Sequence, residues 1–259
     1  MRVAAVARRT IKASALPGGL LTHRRRGDLI VLLYHRVGDG AGEIELPAYL
    51  FEHQLAYLRE HDQVVTLDDA LRDRDGGVVV TFDDGYADFY NIVTPLLVKH
   101  SIPATLFLAT GLVGRAASGL GALTWADLKD IASTGVITVG SHTHTHADLS
   151  RAPQDVCEEE MRRSKDLIED RLGCACSHFA YPWAVASPIA DGVARLLFDS
   201  AAVGAWRSNR RGRIDPYRLG RTPVLRSDGG MFFRAKVRGL LDGEALLYRA
   251  ARRGPWGRT

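Results

Sequence analysis

The sequence predicts an α/β protein in which helices alternate with parallel strands. Seven short apolar runs have the length and composition of buried strands: residues 29–34, 78–82, 104–109, 136–139, 178–181, 201–206 and 219–225. Segments with helical spacing lie between them, notably residues 46–61 and 154–172. Such alternation predicts crossover helices that join parallel strands in one sheet. The pattern alone fits either a closed barrel or an open, doubly wound sheet.

The first half of the chain supplies the first two strands and a long helix. The run at 29–34 ends at His35, and the helix predicted over 46–61 is rich in leucine and aromatic residues. The run at 78–82 is followed at once by Asp83 and Asp84. Polar groups at the carboxyl end of a strand occupy the edge where α/β proteins place their active sites.

The remaining elements follow in the same way. Thr124 precedes a helical segment and has Asp127 three positions later, a variant of the capping box that predicts a helix start. The run at 136–139 leads into a histidine-rich segment, and a helix is predicted over 154–172. The strand predicted at 219–225 contains Arg221.

The two adjacent carboxylates, in the segment T-F-D-D-G-Y at residues 81–86, suggest a division of labour. Ionisation of two neighbouring carboxylates is unfavourable unless a cation or a hydrogen-bond donor stabilises them. One of the two can therefore ligate a metal while the other stays free as a base. A helix N-cap is the alternative, because Asp is favoured there and Gly85 permits a tight turn.

The histidine segment, S-H-T-H-T-H at residues 141–146, places His142 and His146 four positions apart with His144 between them. Two imidazoles and one carboxylate form a common ligand set for a catalytic Zn²⁺-type ion. The alternative is a solvated polar loop or an incidental metal-binding tract. Each cluster alone is a weak signal, and the two together are fairly specific.

These two motifs resemble those of the polysaccharide deacetylase family, the NodB-homology group of carbohydrate esterases, and a looser likeness runs from about Asp28 to Leu241. The resemblance implies a distorted, incomplete (β/α) barrel of about seven parallel strands. It implies that Asp83 is the catalytic base and that Asp84, His142 and His146 hold a divalent metal. Zn²⁺ is the ion we expect first, with Co²⁺, Ni²⁺, Mn²⁺ or Fe²⁺ as alternatives.

The third motif departs from the family pattern. In the segment F-A-Y-P-W-A at residues 179–184, Ala180 stands where many members carry the Arg that orients the base, as in an F-A-Y-P-type subgroup. The backbone N–H of Trp183 is the implied oxyanion donor, and a buried core aromatic is the alternative. We propose Arg221 as the residue that orients Asp83 instead, against the alternative of an ordinary surface or structural arginine.

The late L-x-H histidine that supplies the family's general acid is missing, since no histidine follows His178. His35 is the best candidate for that role, because it ends the first strand and an imidazole titrates near neutrality. A strand-end or core histidine with no catalytic role is the alternative.

Composition and charge set the domain organisation. The 259 residues are 46% hydrophobic, enough for one catalytic domain, which we place at 28–243 between a basic N-terminal segment, 1–27, and a basic C-terminal tail, 244–259. Both ends are expected to be solvated tails. The alternative is that they contact anionic lipid headgroups, as at a membrane surface reached by the N-terminus, or a phosphorylated substrate. Nucleic-acid binding is not expected, because no aromatic and basic platform is present.

The predicted activity is hydrolysis of a non-peptide C–N bond, the removal of an acetyl group from an N-acetylated sugar or glycan precursor. The sequence has neither the apolar region of a secretory signal nor a run long enough to span a membrane, so we expect a cytoplasmic enzyme. Two alternatives stay open: a deacylase of a non-sugar amide, and a catalytically degenerate carbohydrate-binding protein. The oligomeric state is not predicted.

Overall fold

The computed structural model describes residues 10, 12–14, 24–73, 75–115, 121–204, 207–242 and 244. Its strands are β1 (Leu29–Tyr34), β2 (Arg36–Val37), β3 (Glu45–Leu46), β4 (Gly77–Asp84), β5 (Ala104–Leu108), β6 (Ile137–Ser141), β7 (His178–Ala180), β8 (Ser200–Val203) and β9 (Leu219–Pro223). The helices are α1 (Ala48–His61), α2 (Leu67–Asp73), α3 (Thr94–His100), α4 (Trp125–Ser133), α5 (Gln154–Leu172), α6 (Pro188–Leu197) and α7 (Gly229–Val237).

Seven of these strands form a closed parallel barrel in the order β1-β4-β5-β6-β7-β8-β9. The pairing of β1 with β9, which sets Val31 opposite Arg221, closes the sheet and excludes the open doubly wound alternative. The predicted fold class is therefore confirmed. The barrel is incomplete only in having seven strands rather than the eight of a (β/α)₈ barrel.

Alternation along the strands divides the apolar residues between two layers. In β1, Ile30, Leu32 and Tyr34 belong to the large cluster between the sheet and the helices. Leu29 and Val31 belong to a smaller cluster with Phe107 and residues of β4, β7, β8 and β9, which fills the barrel interior. Inward-facing residues near the carboxyl ends of the strands are thereby directed toward one mouth of the barrel.

The predicted local signals are largely found. Thr124 caps α4 by accepting from the Asp127 N–H while the Asp127 side chain accepts from the Thr124 N–H, so the capping box is confirmed. Helix α5 has the predicted bounds, Gln154–Leu172. None of the described helices is both long enough and apolar enough to span a membrane.

The expectation of solvated ends is wrong at two described positions. Lys12, in the basic N-terminal segment, is fully buried and its Nζ lies 2.5 Å from the Asp228 carboxylate. Glu244, the first residue of the expected C-terminal tail, is 1% exposed and forms an ion pair with Lys236. A buried charge needs a partner, and these residues find theirs in the body of the domain. The remaining residues of both ends lie largely outside the described part of the chain.

Candidate metal centre

The three predicted metal ligands converge at the carboxyl end of the barrel. Asp84 lies at the end of β4, and His142 and His146 lie in the loop after β6. The Asp84 Oδ1 is 3.2 Å from Nε2 of His146 and 3.6 Å from Nε2 of His142. One donor atom of each residue lies within 4.8 Å of the others. This spacing lets all three atoms ligate one ion.

The hydrogen bonding of His142 fits a metal ligand. Its Nδ1 lies 2.7 Å from the carbonyl oxygen of Ala180, which can only accept, so Nδ1 carries the proton and the Nε2 lone pair faces Asp84. Burial lowers the pKa of His142 and favours the neutral form that binds metal. The donor set of two imidazole nitrogens and one carboxylate suits a divalent transition ion.

The other two ligands, Asp84 and His146, stabilise each other's charged forms. Burial by itself opposes the charged forms of Asp84 and His146, but their mutual contact outweighs it. The pKa of Asp84 lies far below its ordinary range, and the pKa of His146 lies above its own.

Asp83 points into the barrel beside this triad. Its parity in β4 is that of the interior residue Val79, and it is 3% exposed. Arg221 donates to both of its oxygens, from Nη1 to Oδ1 at 2.6 Å and from Nη2 to Oδ2 at 2.8 Å. Burial would raise the pKa of Asp83, but Arg221, His142 and His35 together hold it below the ordinary value. Asp83 is therefore ionised at neutral pH.

Arg221 is 1% exposed, so the alternative of a surface arginine is wrong. Its guanidinium lies 5.5 Å from the ring centroid of Phe107, within the interior cluster that also contains Ala180. Ala180 is the small residue at the position where the family resemblance implies an arginine. The buried Arg221 on β9 reaches the Asp83 carboxylate instead.

The last two predicted residues line the same cavity, which has a volume of about 510 Å³. His35 is half-buried there, close enough to Asp83 and Asp84 to lower the pKa of each. Trp183 is 66% exposed, so the alternative of a core aromatic is wrong, and its ring centroid lies 5.1 Å from that of His146. All seven predicted site residues therefore lie around one opening.

The comparisons with known proteins bear on the same part of the chain. The polysaccharide deacetylase family model matches residues 71–197, which include β4 through α6 and all three proposed ligands. This segment, just under half of the chain, is similar to the polysaccharide deacetylase family. The chain is 28% identical over 149 residues to the poly-beta-1,6-N-acetyl-D-glucosamine N-deacetylase of Staphylococcus aureus (strain MRSA252), covering 51% of each chain.

Two solved structures are similar to this chain over most of its length. IcaB from Ammonifex degensii is 27% identical with a TM-score of 0.73, and the match covers 83% of this chain and 97% of that one. The Streptococcus pyogenes deacetylase PplD has a TM-score of 0.74 at 23% identity, covering 82% and 99%, which shows the shared fold. The chain spans about half the length of the curated relatives that it matches.

Sequence reasoning missed Glu160, which shapes the ligand loop. Its Oε2 accepts from the backbone N–H groups of His144 and Thr145 at 2.9 and 2.8 Å, and its Oε1 accepts from the Thr145 hydroxyl at 2.8 Å. Glu160 is one of several acidic residues in α5, so nothing in the local sequence distinguishes it. The contact arises only from the packing of α5 beside β6.

Tyr86 was also missed, although it directly follows the first motif. It lines the cavity, where burial and the nearby Asp84 carboxylate raise the pKa of its hydroxyl to about 12. Tyr86 therefore stays protonated at neutral pH and presents a neutral hydroxyl to the cavity.

Proposed function

We propose that this protein is a metal-dependent hydrolase that removes the acetyl group from an N-acetylated amino sugar. The observation that carries the proposal is the convergence of Asp84, His142 and His146 beside the buried, ionised Asp83. The name of the Staphylococcus aureus relative supports a β-1,6-linked N-acetylglucosamine polymer as the substrate class. A glycan precursor with the same N-acetyl group offers the same reacting bond.

Each residue has a role in the proposed reaction. Asp84, His142 and His146 would hold a divalent ion, which would supply Lewis-acid chemistry at the acetyl carbonyl and the attacking water. Asp83 takes the proton from the water that attacks the carbonyl carbon, and Arg221 fixes both carboxylate oxygens of Asp83 during that transfer.

Two further groups act on the atoms that change charge. The backbone N–H of Trp183 stabilises the developing oxyanion, and His35 protonates the departing amine so that the C–N bond breaks to give acetate and a free amino sugar. Both residues line the cavity that contains Asp83, which supports these roles.

The test is acetate release from β-1,6-linked N-acetylglucosamine oligomers, with chelator and after addition of Zn²⁺, Co²⁺, Ni²⁺, Mn²⁺ or Fe²⁺. We expect Asp84→Ala to lose bound metal and activity together, because only two protein ligands remain. Asp83→Asn should keep the metal and turn over at least ~100-fold more slowly. Asp166→Asn, at an exposed position of α5, is the matched control and should behave as the parent chain does.

The assay also separates the alternatives. A fully active, metal-replete Asp83→Asn variant would show that another group is the base. Acetate or formate release from small N-acyl amides, but from no sugar, would favour the non-sugar deacylase. Sugar binding without turnover in any metal-loaded form would favour the degenerate carbohydrate-binding protein.

A further inference from the structure

A second cavity, of about 630 Å³, lies at the opposite end of the barrel from the candidate metal centre. Its walls include residues 24–27 just before β1, Gln63 and Asp75 before β4, Arg211 before β9 and Arg238 directly after α7. Because the strands are parallel, the segments that precede them share the amino end of the barrel. A ligand here can bind without contact with Asp84 or its neighbours.

Positive charge dominates the lining of this cavity. Five arginines face two aspartates there: Arg24, Arg25, Arg26, Arg211 and Arg238 against Asp62 and Asp75. Arg24 forms an ion pair with Asp62 at 2.8 Å. Within the described part of the chain, no carboxylate lies within ion-pair distance of the other four guanidinium groups, and these four arginines are exposed. Among the described lining residues, Asp75 is the one carboxylate outside the Arg24–Asp62 pair, so the four exposed guanidinium groups leave a net positive charge around one concave space.

A single buried carboxylate organises two of the arginine-bearing segments. Asp28 is 2% exposed, and it accepts from the backbone N–H groups of Arg25 and Arg211, both at 2.9 Å, and from Nη1 of Arg210 at 2.7 Å. The third segment is joined to the first because the Arg24 N–H donates to the carbonyl oxygen of Arg238 at 2.7 Å. The backbone that carries the arginines is thus fixed before any ligand arrives, which lowers the ordering cost of binding.

Gly27 directs the side chain of Arg211. Its φ is +90°, and a Cβ at this position would lie 2.4 Å from Cδ of Arg211. The stem of Arg211 therefore packs against the backbone of Gly27, where any side chain would collide with it. A longer residue at position 27 would displace that stem.

We propose that this cavity binds a ligand that carries two or more phosphate groups. A guanidinium presents a planar fork of N–H donors that matches phosphate oxygens in pairs, and several forks around one space match clustered negative charge. A soluble diphosphate and the headgroup of a lipid that carries several phosphates share this chemistry. The site is separate from the proposed deacetylation chemistry and does not depend on a bound metal.

The test uses the full-length, metal-loaded chain and inorganic pyrophosphate, titrated by calorimetry at about 0.15 M salt, where weak surface attraction is largely screened. The variant is Arg26→Gln/Arg211→Gln. The control is Arg151→Gln/Arg162→Gln, which removes the same charge from exposed positions outside the cavity. We expect saturable binding that weakens about tenfold for each cavity guanidinium removed and changes less than about twofold in the control.

Co-sedimentation with phosphatidylcholine vesicles, with and without phosphatidylinositol bisphosphate, identifies the source of the phosphate groups. Pelleting that requires phosphatidylinositol bisphosphate and is lost in the cavity variant but not in the control would support a headgroup. Pyrophosphate binding without pelleting would support a soluble ligand. Absence of both, or equal losses in both double variants, would overturn the proposal. Binding that survives in the cavity variant and disappears in Asp84→Ala would overturn it as well, since the anion would then occupy the metal centre.

Discussion

Replacement of Arg221 by Met isolates the energetic role of the buried ion pair at the site. The substitution keeps much of the side-chain volume but leaves the Asp83 carboxylate, 3% exposed, without its bidentate partner. Removal of one member of a buried pair usually destabilises a protein by about 3–5 kcal/mol, because the remaining charge is uncompensated. We expect a loss of that size in the free energy of unfolding at pH 7.

The loss should depend on pH in a defined direction. In the parent chain the pKa of Asp83 is depressed, so its ionisation stabilises the fold above the unfolded value of about 3.9, and this contribution is lost as the pH falls through the folded pKa. Without Arg221, burial raises the folded pKa above 3.9, and ionisation then opposes folding as the pH rises. The difference between the two chains should therefore be largest near neutrality and should shrink toward pH 4.

The assay is guanidinium-induced unfolding at several pH values between 4 and 8, in the presence of chelator so that no ion contributes charge. Arg221→Lys should be intermediate, because a single ammonium cannot reproduce two parallel hydrogen bonds. The double variant Asp83→Asn/Arg221→Met should recover part of the lost unfolding free energy, because it removes the uncompensated Asp83 charge. A difference below about 1 kcal/mol, or one that does not change with pH, would refute the view of Arg221 as the partner that keeps Asp83 ionised.

Three further predictions concern other contacts of the same structure. Glu160→Ala should weaken metal binding ~10-fold or more in a chelator competition, because the loop that carries the histidines loses its acceptor, whereas Glu159→Ala on the exposed face of α5 should not. His35→Ala should flatten the alkaline limb of the pH–rate profile with the metal retained, and an unchanged profile would remove His35 from the reaction. Lys12→Met should destabilise the fold by about 3–5 kcal/mol, because the buried Asp228 loses one of its cations; an unaltered unfolding midpoint would mean that the N-terminal contact is dispensable.

Much of the fold was predictable because local signals and tertiary structure agree. The seven apolar runs became the seven barrel strands with bounds shifted by a few residues, and the Thr124 cap forms as its sequence predicts. Closure of the barrel was not predictable from pattern, because it depends on pairing between β1 and β9, which are almost 200 residues apart in sequence. Strand periodicity predicts which face of a strand is buried, but it does not predict which strands pair with each other.

The positioning of the site side chains was less accessible to sequence reasoning, for a reason visible in the backbone. Among the described residues, six other than glycine have positive φ, and five of them lie in the segments that carry the site: Asp84, Thr143, His146, Trp183 and Ala184. This conformation is uncommon for residues other than glycine, although Asp and His adopt it more often than most, and it costs of order 1–3 kcal/mol per residue. It persists only where surrounding contacts determine it, and those contacts are long-range.

Glu160 is the clearest of these contacts. Its carboxylate holds the N–H groups of His144 and Thr145, which lie between the left-handed Thr143 and the left-handed His146. The carbonyl oxygen of Ala180, in β7, is a second long-range contact, and it fixes the proton of His142 on Nδ1. Neither partner is chemically unusual in the sequence, and each acts through a hydrogen bond that only the folded barrel creates. The motifs therefore identify which side chains can bind a metal, while α5 and β7 determine that their donor atoms meet within reach of one ion.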